Sequence, residues 1–312
     1  EQADLNWENP TVRAELKKVC EFWADRGVDG LRLDVVNLIS KDQDFPHDPD
    51  GDGRRFYTDG PRAHAFLREM NRDVFTPRGL MTVGEMSSTT LENCQQYAAL
   101  DGSELSMTFN FHHLKVDYPN GEKWTLAKPD YVALKTLFRH WQQGMHNQAW
   151  NALFWCNHDQ PRICSYVTDE QALRNYTAML YFLKGTTLLY AGQEFENDHL
   201  PSLFEKEPID RQTGKDLTPL LKALASIKRA LGVPGYFRAE ADDANDIAVM
   251  QRTGDTGRFV GVFSLKGNCA KTCVPAKDGV YENLLDGTSV TVADGTLSCA
   301  GEPVIIRAPE RD

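Results

Sequence analysis

Residues 27–36 read GVDGLRLDVV, an apolar stretch that ends on an arginine and a carboxylate. We predict a β-strand here. Because side chains alternate across a strand, Arg32 and Asp34 share one face while Leu31 and Leu33 share the other. A fixed cation beside Asp34 favours its ionised form. We therefore interpret Asp34 as a catalytic nucleophile.

The composition is that of a globular protein. The chain has 312 residues, 41% of them hydrophobic, which suffices for one large α/β domain or for a large and a small domain. A net charge of −11 argues against general affinity for nucleic acid or anionic membranes. No run of about 18 apolar residues and no signal pattern occurs. Seven cysteines without a CxxC pair favour a reduced, cytoplasmic setting. The first residue is Glu1, which suggests a processed chain or a fragment.

Helical and strand patterns alternate along the first part of the chain. Apolar residues at helical spacing predict helices within 10–26, 63–74, 134–145, 172–183 and 218–231. The strands between them are predicted at 27–36, 80–85, 104–111, 150–156 and 186–190. This alternation implies a parallel sheet covered by helices. Polar residues at the C-terminal ends of the strands are typical of an α/β barrel enzyme.

The composition changes after Gly232. From about residue 245 to 308, short β-prone runs are separated by Gly-Asp, Asp-Gly and Gly-Asn turns, which predicts a small antiparallel β domain. We expect a linker at 233–244. The chain is thus predicted to divide into a catalytic barrel segment at 1–232 and a C-terminal β-sandwich domain at 233–312.

Three acids follow three predicted strands, namely Asp34, Glu85 and Asp159. A barrel brings such strand ends to one mouth, so we expect them to converge. Retaining glycoside hydrolysis needs an ionised carboxylate and a protonated carboxyl about 5 to 5.5 Å apart. Asp34, beside Arg32, suits the attack. Glu85 lies in an apolar run with no adjacent cation and suits the acid/base role, and Asp159 would bind sugar hydroxyls. Each acid alone is more often a helix cap or a surface group.

Polar and basic residues beside these strand ends, Arg32 among them, are further candidates for substrate binding. Asn157 and His158 follow an aromatic strand and are interpreted as partners of sugar hydroxyls. A basic group that includes His112, His113 and Lys115 follows the third strand in an otherwise acidic chain. It is either a solvated loop or a site that binds a phosphate.

The loop before the second helix has the spacing of a calcium site. Counted from Asp48, acids occupy positions 1, 3, 5 and 12 and glycine occupies position 6. Position 12 is Asp59 rather than glutamate, and Arg54 and Arg55 lie inside the loop. A plain polar loop is the alternative. The carboxylate chemistry itself requires no cofactor. Calcium in this loop is the one metal that the sequence suggests.

The motifs resemble glycoside hydrolase family 13, the α-amylase family. The sequence GLRLD ending at Asp34 resembles the nucleophile motif, and VGE ending at Glu85 resembles the acid/base motif. FWCNHD, ending at Asp159, is similar to the motif that carries the transition-state stabiliser. The resemblance implies a double displacement with retention of the α configuration.

Within the family, Val35 after the nucleophile is similar to the branch that cleaves small α-glucosides. Over residues 1–163 the likeness is greatest to members that hydrolyse trehalose 6-phosphate to glucose and glucose 6-phosphate in the cytoplasm. The segments that carry it are 4–10, 50–61 and 107–115. On this resemblance Lys115 and its neighbours, His112 included, become candidates for binding the phosphate.

The family's barrel has eight strands, and the five predicted here correspond to strands four to eight. An open barrel would expose apolar surface and unpaired backbone, so we expect a second chain or segment to complete it. The expected partner otherwise is a small sugar or sugar phosphate. After Ile163 the likeness shifts to other family members. Two alternatives stay open: an amylase or α-glucosidase acting on α-1,4 or α-1,6 glucans, and a non-catalytic relative or subunit.

Overall fold

A computed structural model describes residues 3–114, 130–233, 236–242 and 244–309, without the side chains of 240–242. The chain forms two compact units. The first joins 1–112 to 147–152, and the second joins 113–146 to 153–312. Asp34 and Glu85 belong to the first unit, whereas Asp159 and the C-terminal sheets belong to the second.

The first unit is built on a parallel sheet. Its main elements are α1 Pro10–Ala24, β1 Gly30–Leu33, α2 Ala63–Met70, β2 Met81–Met86, α3 Leu91–Tyr97 and β3 Met107–Asn110. The strands lie in the order β1-β2-β3, and both pairs are parallel. Asn151 adds one further parallel bridge, to Thr108. The predicted alternation of helix and parallel strand is confirmed for this sheet.

Helix α1 begins where the sequence predicts. The side chain of Asn9 accepts a hydrogen bond from the backbone N–H of Thr11 at 2.9 Å, and Pro10 occupies the first helical position. Gly27 has a φ of 86°, a left-handed conformation that glycine adopts without strain, and the chain turns there towards β1.

An apolar groove of 560 Å³ lies between α1 and β1 in the first unit. Leu31 and Leu33 of β1 line it from one side and Val19 of α1 from the other. Although α1 carries apolar residues at helical spacing, none of its residues is buried. Val19 is 54% exposed and Trp23 is 49% exposed. Such contiguous exposed apolar surface is typical of an interaction site.

The helical part of the second unit contains two very short strands. Its elements, the first residue of β4 excepted, are α4 Tyr131–Met145, β4 Ala152–Leu153, α5 Ile163–Tyr166, α6 Glu170–Phe182, β5 Thr186–Thr187 and α7 Thr218–Leu231. Strand β4 is shorter than the predicted 150–156, although residues through Cys156 are buried. An apolar run indicates that its residues are buried, but it does not by itself determine how many of them pair with another strand. In the described part of the chain, no helix is long and apolar enough to cross a membrane.

Two antiparallel sheets make up the C-terminal part. The strands are β6 Tyr236–Asp242, β7 Ile247–Gly254, β8 Gly257–Ser264, β9 Cys269–Cys273, β10 Gly279–Glu282, β11 Ser289–Ala293, β12 Thr296–Ala300 and β13 Val304–Ala308. They form the sheets β13-β8-β7-β6 and β10-β11-β12-β9. Val260 and Ile306 of the first sheet share one buried cluster with Val292 and Leu297 of the second. The predicted antiparallel β domain is confirmed.

The predicted linker at 233–244 is wrong, because β6 begins within it at Tyr236. Phe237 and Ala239 are buried while Tyr236 and Arg238 are exposed, the alternation of a strand with one covered face. Strand β6 pairs along its whole length with β7. The period-two pattern is present in the sequence, but the Pro-Gly pair before it and the Asp and Asn residues after it are equally typical of a linker.

Cations cover the C-terminal end of α6. Lys228 donates from Nζ to the carbonyls of Tyr181 and Leu183 at 3.0 and 2.8 Å, and Arg252 donates to the carbonyl of Phe182 at 2.8 Å. Positive charges there satisfy carbonyls that have no partner within the helix. Burial, with the charge of Arg252, lowers the pKa of Lys228 to about 7. Burial also lowers the pKa of Arg252 to about 10.

The lowered pKa of Lys228 predicts a dependence of stability on pH. Between about pH 7 and 10.5 the unfolded chain binds more protons at this lysine than the folded chain does, so its contribution to the free energy of unfolding rises with pH. We expect the difference in that free energy between the wild type and Lys228→Met, measured by urea unfolding, to increase across this window. Lys222→Met, at an exposed position of α7, is the control. A difference that stays flat or falls would contradict the burial of the Lys228 amine.

Candidate active site

The register of the parallel sheet brings Asp34 beside Glu85. Leu33 is paired with Gly84, so the next residues along the two strands are Asp34 and Glu85. Residues at matching ladder positions point to the same face of a sheet. The Glu85 side chain is 7% exposed and the Asp34 side chain is 70% exposed. One buried and one exposed carboxyl therefore lie together at the C-terminal edge of the sheet.

The guanidinium of Arg32 joins these two carboxyls. Its Nη1 donates to Oδ1 of Asp34 and its Nη2 donates to Oε2 of Glu85. The planar fork of arginine suits such a double interaction, which a single ammonium group would not reproduce. The expectation that Glu85 has no adjacent cation is wrong. The residues next to Glu85 in the sequence are uncharged, whereas Arg32 reaches Glu85 from the neighbouring strand.

Backbone strain follows Asp34 directly. Val35 has φ 34° and ψ 45°, a left-handed conformation that is unfavourable for a β-branched side chain. The chain then enters a short 3-10 helix, Val36–Leu38, in which Val36 and Asn37 are buried. Strain of this kind persists only where the surroundings fix it, and it is found most often at active sites and ligand-binding positions.

Sequence reasoning missed a clamp between the segments that follow β1 and β2. Asn37 donates from Nδ2 to the carbonyl of Ser87 at 2.7 Å and accepts at Oδ1 from the N–H of Ser87 at 3.0 Å. The side-chain amide of Asn37 thus makes the two hydrogen bonds that the backbone of a neighbouring strand would otherwise make. Asn37 lies three residues after Asp34, and Ser87 lies two residues after Glu85. The two partners are 50 residues apart in the sequence, so no local pattern predicts their contact.

The calcium-like loop uses its acids for contacts within the protein. Asp48 binds Arg55 at 2.7 Å and the N–H of Gly53 at 3.2 Å. Asp59 accepts hydrogen bonds from four side chains. Among the residues that the structure describes, no group of three or more His, Cys, Asp or Glu is placed to hold a metal ion. The loop therefore does not fit a calcium ion, and no step of the chemistry is assigned to one.

Asp159 lies after β4 in the second unit. Its N–H donates to Oδ1 of Asn157 at 2.9 Å, and its Oδ2 lies 3.3 Å from Nε2 of His158. The side chains of Asp159 and His158 are 29% and 45% exposed, so both are accessible. Asn157 uses its oxygen to form the turn, which holds the backbone that presents Asp159.

The basic residues after β3 lie in different environments. His113 is buried in an aromatic cluster, with Nε2 2.5 Å from the carbonyl of Phe154, so it is a core residue and neither of the two alternatives, a solvated loop or a phosphate site, describes it. His112 is partly exposed, and its Nδ1 lies 3.1 Å from Oδ1 of Asn110. Lys115 lies outside the described residues.

Arg162, three residues after Asp159, is a second residue that sequence reasoning missed. It is 1% exposed and donates to the carbonyls of Ala191 and His199 at 2.7 and 2.9 Å. Its guanidinium also lies over the ring of Tyr190, 4.3 Å from the centroid. Arg162 therefore ties the segment after β4 to the segment after β5. In the sequence Arg162 follows the polar run NHDQP, so no local pattern predicts its burial.

Comparison with known families identifies two regions. Residues 1–233 match the family described as "Alpha amylase, catalytic domain". Residues 238–306 match the "Bacterial Alpha amylase C-terminal domain". The boundary between the two matches falls next to β6.

Known proteins resemble the chain over much of its length. Trehalose-6-phosphate hydrolase of Escherichia coli K12 is 70% identical over 244 residues, which are 73% of this chain and 44% of that protein. The enzyme of the same name from Bacillus subtilis 168 is 56% identical over 199 residues, 62% of this chain and 36% of that protein. The chain thus spans less than half the length of these relatives. The structure of Bacillus licheniformis trehalose-6-phosphate hydrolase matches with a TM-score of 0.86 at 31% identity, covering 99% of this chain and 70% of that one.

The two ion pairs of Arg32 differ in burial, which predicts different coupling energies. A double-mutant cycle with Arg32→Met and Glu85→Gln should give a coupling of about 1–3 kcal/mol in the free energy of unfolding, because Glu85 is buried. The matched cycle with Asp34→Asn should give less than about 1 kcal/mol, because Asp34 is exposed to solvent. Urea unfolding measures both. Equal couplings would contradict the asymmetric burial of the pair.

Proposed function

Since the chain belongs to the α-amylase family, we propose that it carries the catalytic residues of a retaining α-glucoside hydrolase. The observation that supports this most is the pair of carboxyls, Asp34 and Glu85, bound to one guanidinium at the end of a parallel sheet. Two adjacent carboxyls, one accessible and one buried, are the groups that a double displacement needs.

In the first step, an oxygen of the Asp34 carboxylate attacks the anomeric carbon. The bond from that carbon to the leaving oxygen breaks, and the leaving oxygen keeps the electron pair and takes the proton of Glu85. In the second step, a water molecule gives a proton to Glu85 and attacks the same carbon, which releases Asp34 as a carboxylate. Both displacements invert the configuration, so the α configuration is retained overall.

Arg32 suits this sequence because negative charge passes between its two partners. Before the first step Asp34 is the carboxylate and Glu85 carries the proton. After it Asp34 is an ester and Glu85 is the carboxylate. A guanidinium that contacts both carboxyls faces one negative charge throughout, so no cation has to move. In this proposal Asp159 stabilises the positively charged sugar of the transition state, and Asn157 and His158 bind its hydroxyls.

The substrate that we propose is trehalose 6-phosphate, hydrolysed to glucose and glucose 6-phosphate. Its support is the identity to the two relatives that carry this name. His112 and Lys115 are the proposed contacts of the phosphate, on the ground of charge and sequence position. A hydrolase of other small α-glucosides is the second candidate, favoured by Val35 after the nucleophile. The reaction needs neither a metal nor a cofactor.

We also propose that β1 to β5 are strands four to eight of a barrel within residues 1–232, with residues 233–312 as the C-terminal domain. A further chain or segment would then pair with β1, an edge strand of its sheet. The apolar groove and the exposed face of α1 support this, because exposed apolar surface and an open edge favour a partner. The phosphorylated substrate and the free cysteines favour a cytoplasmic location.

Kinetics on the assembled protein test the proposed activity. We expect trehalose 6-phosphate to have a kcat/KM above those of trehalose and isomaltose, measured by the release of glucose 6-phosphate or glucose. Glu85→Gln should lower kcat about 10²- to 10⁴-fold through loss of the proton donor, and Asp34→Asn at least as much. Asp44→Asn, at an exposed loop position, is the control. Unchanged turnover by Asp34→Asn would refute the mechanism, and faster turnover of isomaltose would favour the second candidate.

A charge on α1 tests whether its apolar face is covered in the assembled protein. Val19→Asp should leave the fold of the isolated chain intact, because Val19 is 54% exposed there. In the assembled protein it should lower both stability and activity, since burial of an unpaired charge is unfavourable. Val132→Asp, on α4 and 47% exposed, is the matched control. Equal, small effects of the two variants would contradict a partner on α1.

A further inference from the structure

Asp59, in the loop between β1 and α2, is the centre of a hydrogen-bond network. Its Oδ1 accepts from Asn37 Nδ2 at 3.2 Å and from Tyr97 Oη at 3.0 Å. Its Oδ2 accepts from Thr89 Oγ1 at 3.1 Å and from Asn93 Nδ2 at 2.7 Å. Four neutral donors thus use the acceptor sites that an ionised carboxylate offers.

The donors come from both segments that carry the proposed catalytic carboxyls. Asn37 lies three residues after Asp34, and Thr89 lies four residues after Glu85. Asn37 also clamps the backbone of Ser87 through two hydrogen bonds, at 2.7 and 3.0 Å. The network therefore connects the chain just past β1 to the chain just past β2, beyond the end of their strand pairing.

The surroundings of Asp59 make this network rigid. Asn37 and Tyr97 are fully buried, and the ring of Tyr97 stacks on that of His64 with centroids 4.3 Å apart. Burial, together with the charge of Asp59, raises the pKa of the Tyr97 phenol, so that it remains a hydrogen-bond donor. The backbone of Asp59 itself is held at φ 49°, and its N–H donates to the carbonyl of Asn37 at 2.9 Å.

We propose that Asp59 is a positioning residue, which holds the segments after β1 and β2 in one arrangement and so sets the position of Asp34 relative to Glu85. This inference rests on the proposed function and deepens it. Asp59 acts through Asn37 and Thr89, whose side chains donate to it directly. A carboxylate is required because an amide would turn a donor group towards two of the four donors. Asp59→Asn therefore separates the segments without removing volume.

Two aryl glucosides whose leaving groups differ in their need for a proton distinguish positioning from simple stability. The aglycone of phenyl α-glucoside needs a proton from Glu85 to leave, whereas that of 2,4-dinitrophenyl α-glucoside leaves as an anion. Displacement of Glu85 relative to Asp34 affects the first substrate more. A loss of folded enzyme lowers the rates on both substrates in the same proportion.

We expect Asp59→Asn in the assembled protein to lower kcat/KM on phenyl α-glucoside about 10- to 100-fold more than on the dinitrophenyl compound. Asp48→Asn changes a carboxyl of the same loop that binds Arg55 and the N–H of Gly53, and it should leave the ratio of the two rates unchanged. If Asp59→Asn does not fold, Thr89→Val, which removes one donor to Asp59 and leaves the clamp of Asn37 on Ser87 in place, should change the ratio in the same direction.

An equal loss on both substrates, or no loss, would overturn the positioning role while the proposed function stands. A wild type that hydrolyses neither glucoside nor trehalose 6-phosphate would overturn the proposed function, and with it the role of Asp59.

Discussion

The arrangement of the candidate active site depends on one guanidinium that contacts two carboxyls. Arg32 binds the exposed Asp34 with one nitrogen and the buried Glu85 with the other. Glu85 is buried and gives up its proton in the proposed first step, so the carboxylate that remains needs a cation beside it. The exposed Asp34, in contrast, remains accessible to a substrate. A single fixed charge thus serves two carboxyls with opposite requirements, and the proposed chemistry exchanges the negative charge between them.

Several features of the first unit keep that geometry in place. The parallel register puts Asp34 level with Glu85, and the left-handed Val35 ends the strand at that point. The clamp of Asn37 on Ser87 then continues the connection where strand pairing stops. A one-residue shift between β1 and β2 would move one carboxyl to the opposite face. Sheet register and polar network therefore specify the same arrangement.

The sequence was sufficient for features that depend on neighbours along the chain. The cap of α1 by Asn9, the alternation of helix and strand, and the placement of Asp34 and Glu85 at strand ends follow from local spacing. Contacts between strands could not be predicted from the spacing of residues in the sequence. The pairing of Arg32 with Glu85 joins residues 53 apart, and Asp59, which the sequence offers only as a candidate calcium ligand, binds donors 22 to 38 residues away. Such pairs arise from tertiary packing, which spacing alone does not encode.

The most direct measurement of the proposed division of roles uses a trapped intermediate. In Glu85→Gln, 2,4-dinitrophenyl α-glucoside still transfers its glucosyl group, but the ester then accumulates because no base activates water. Digestion and mass spectrometry of the quenched protein locate the added glucosyl mass. The account predicts this mass on the peptide that contains Asp34. Label on another residue, or release of dinitrophenolate with no labelled peptide, would contradict it.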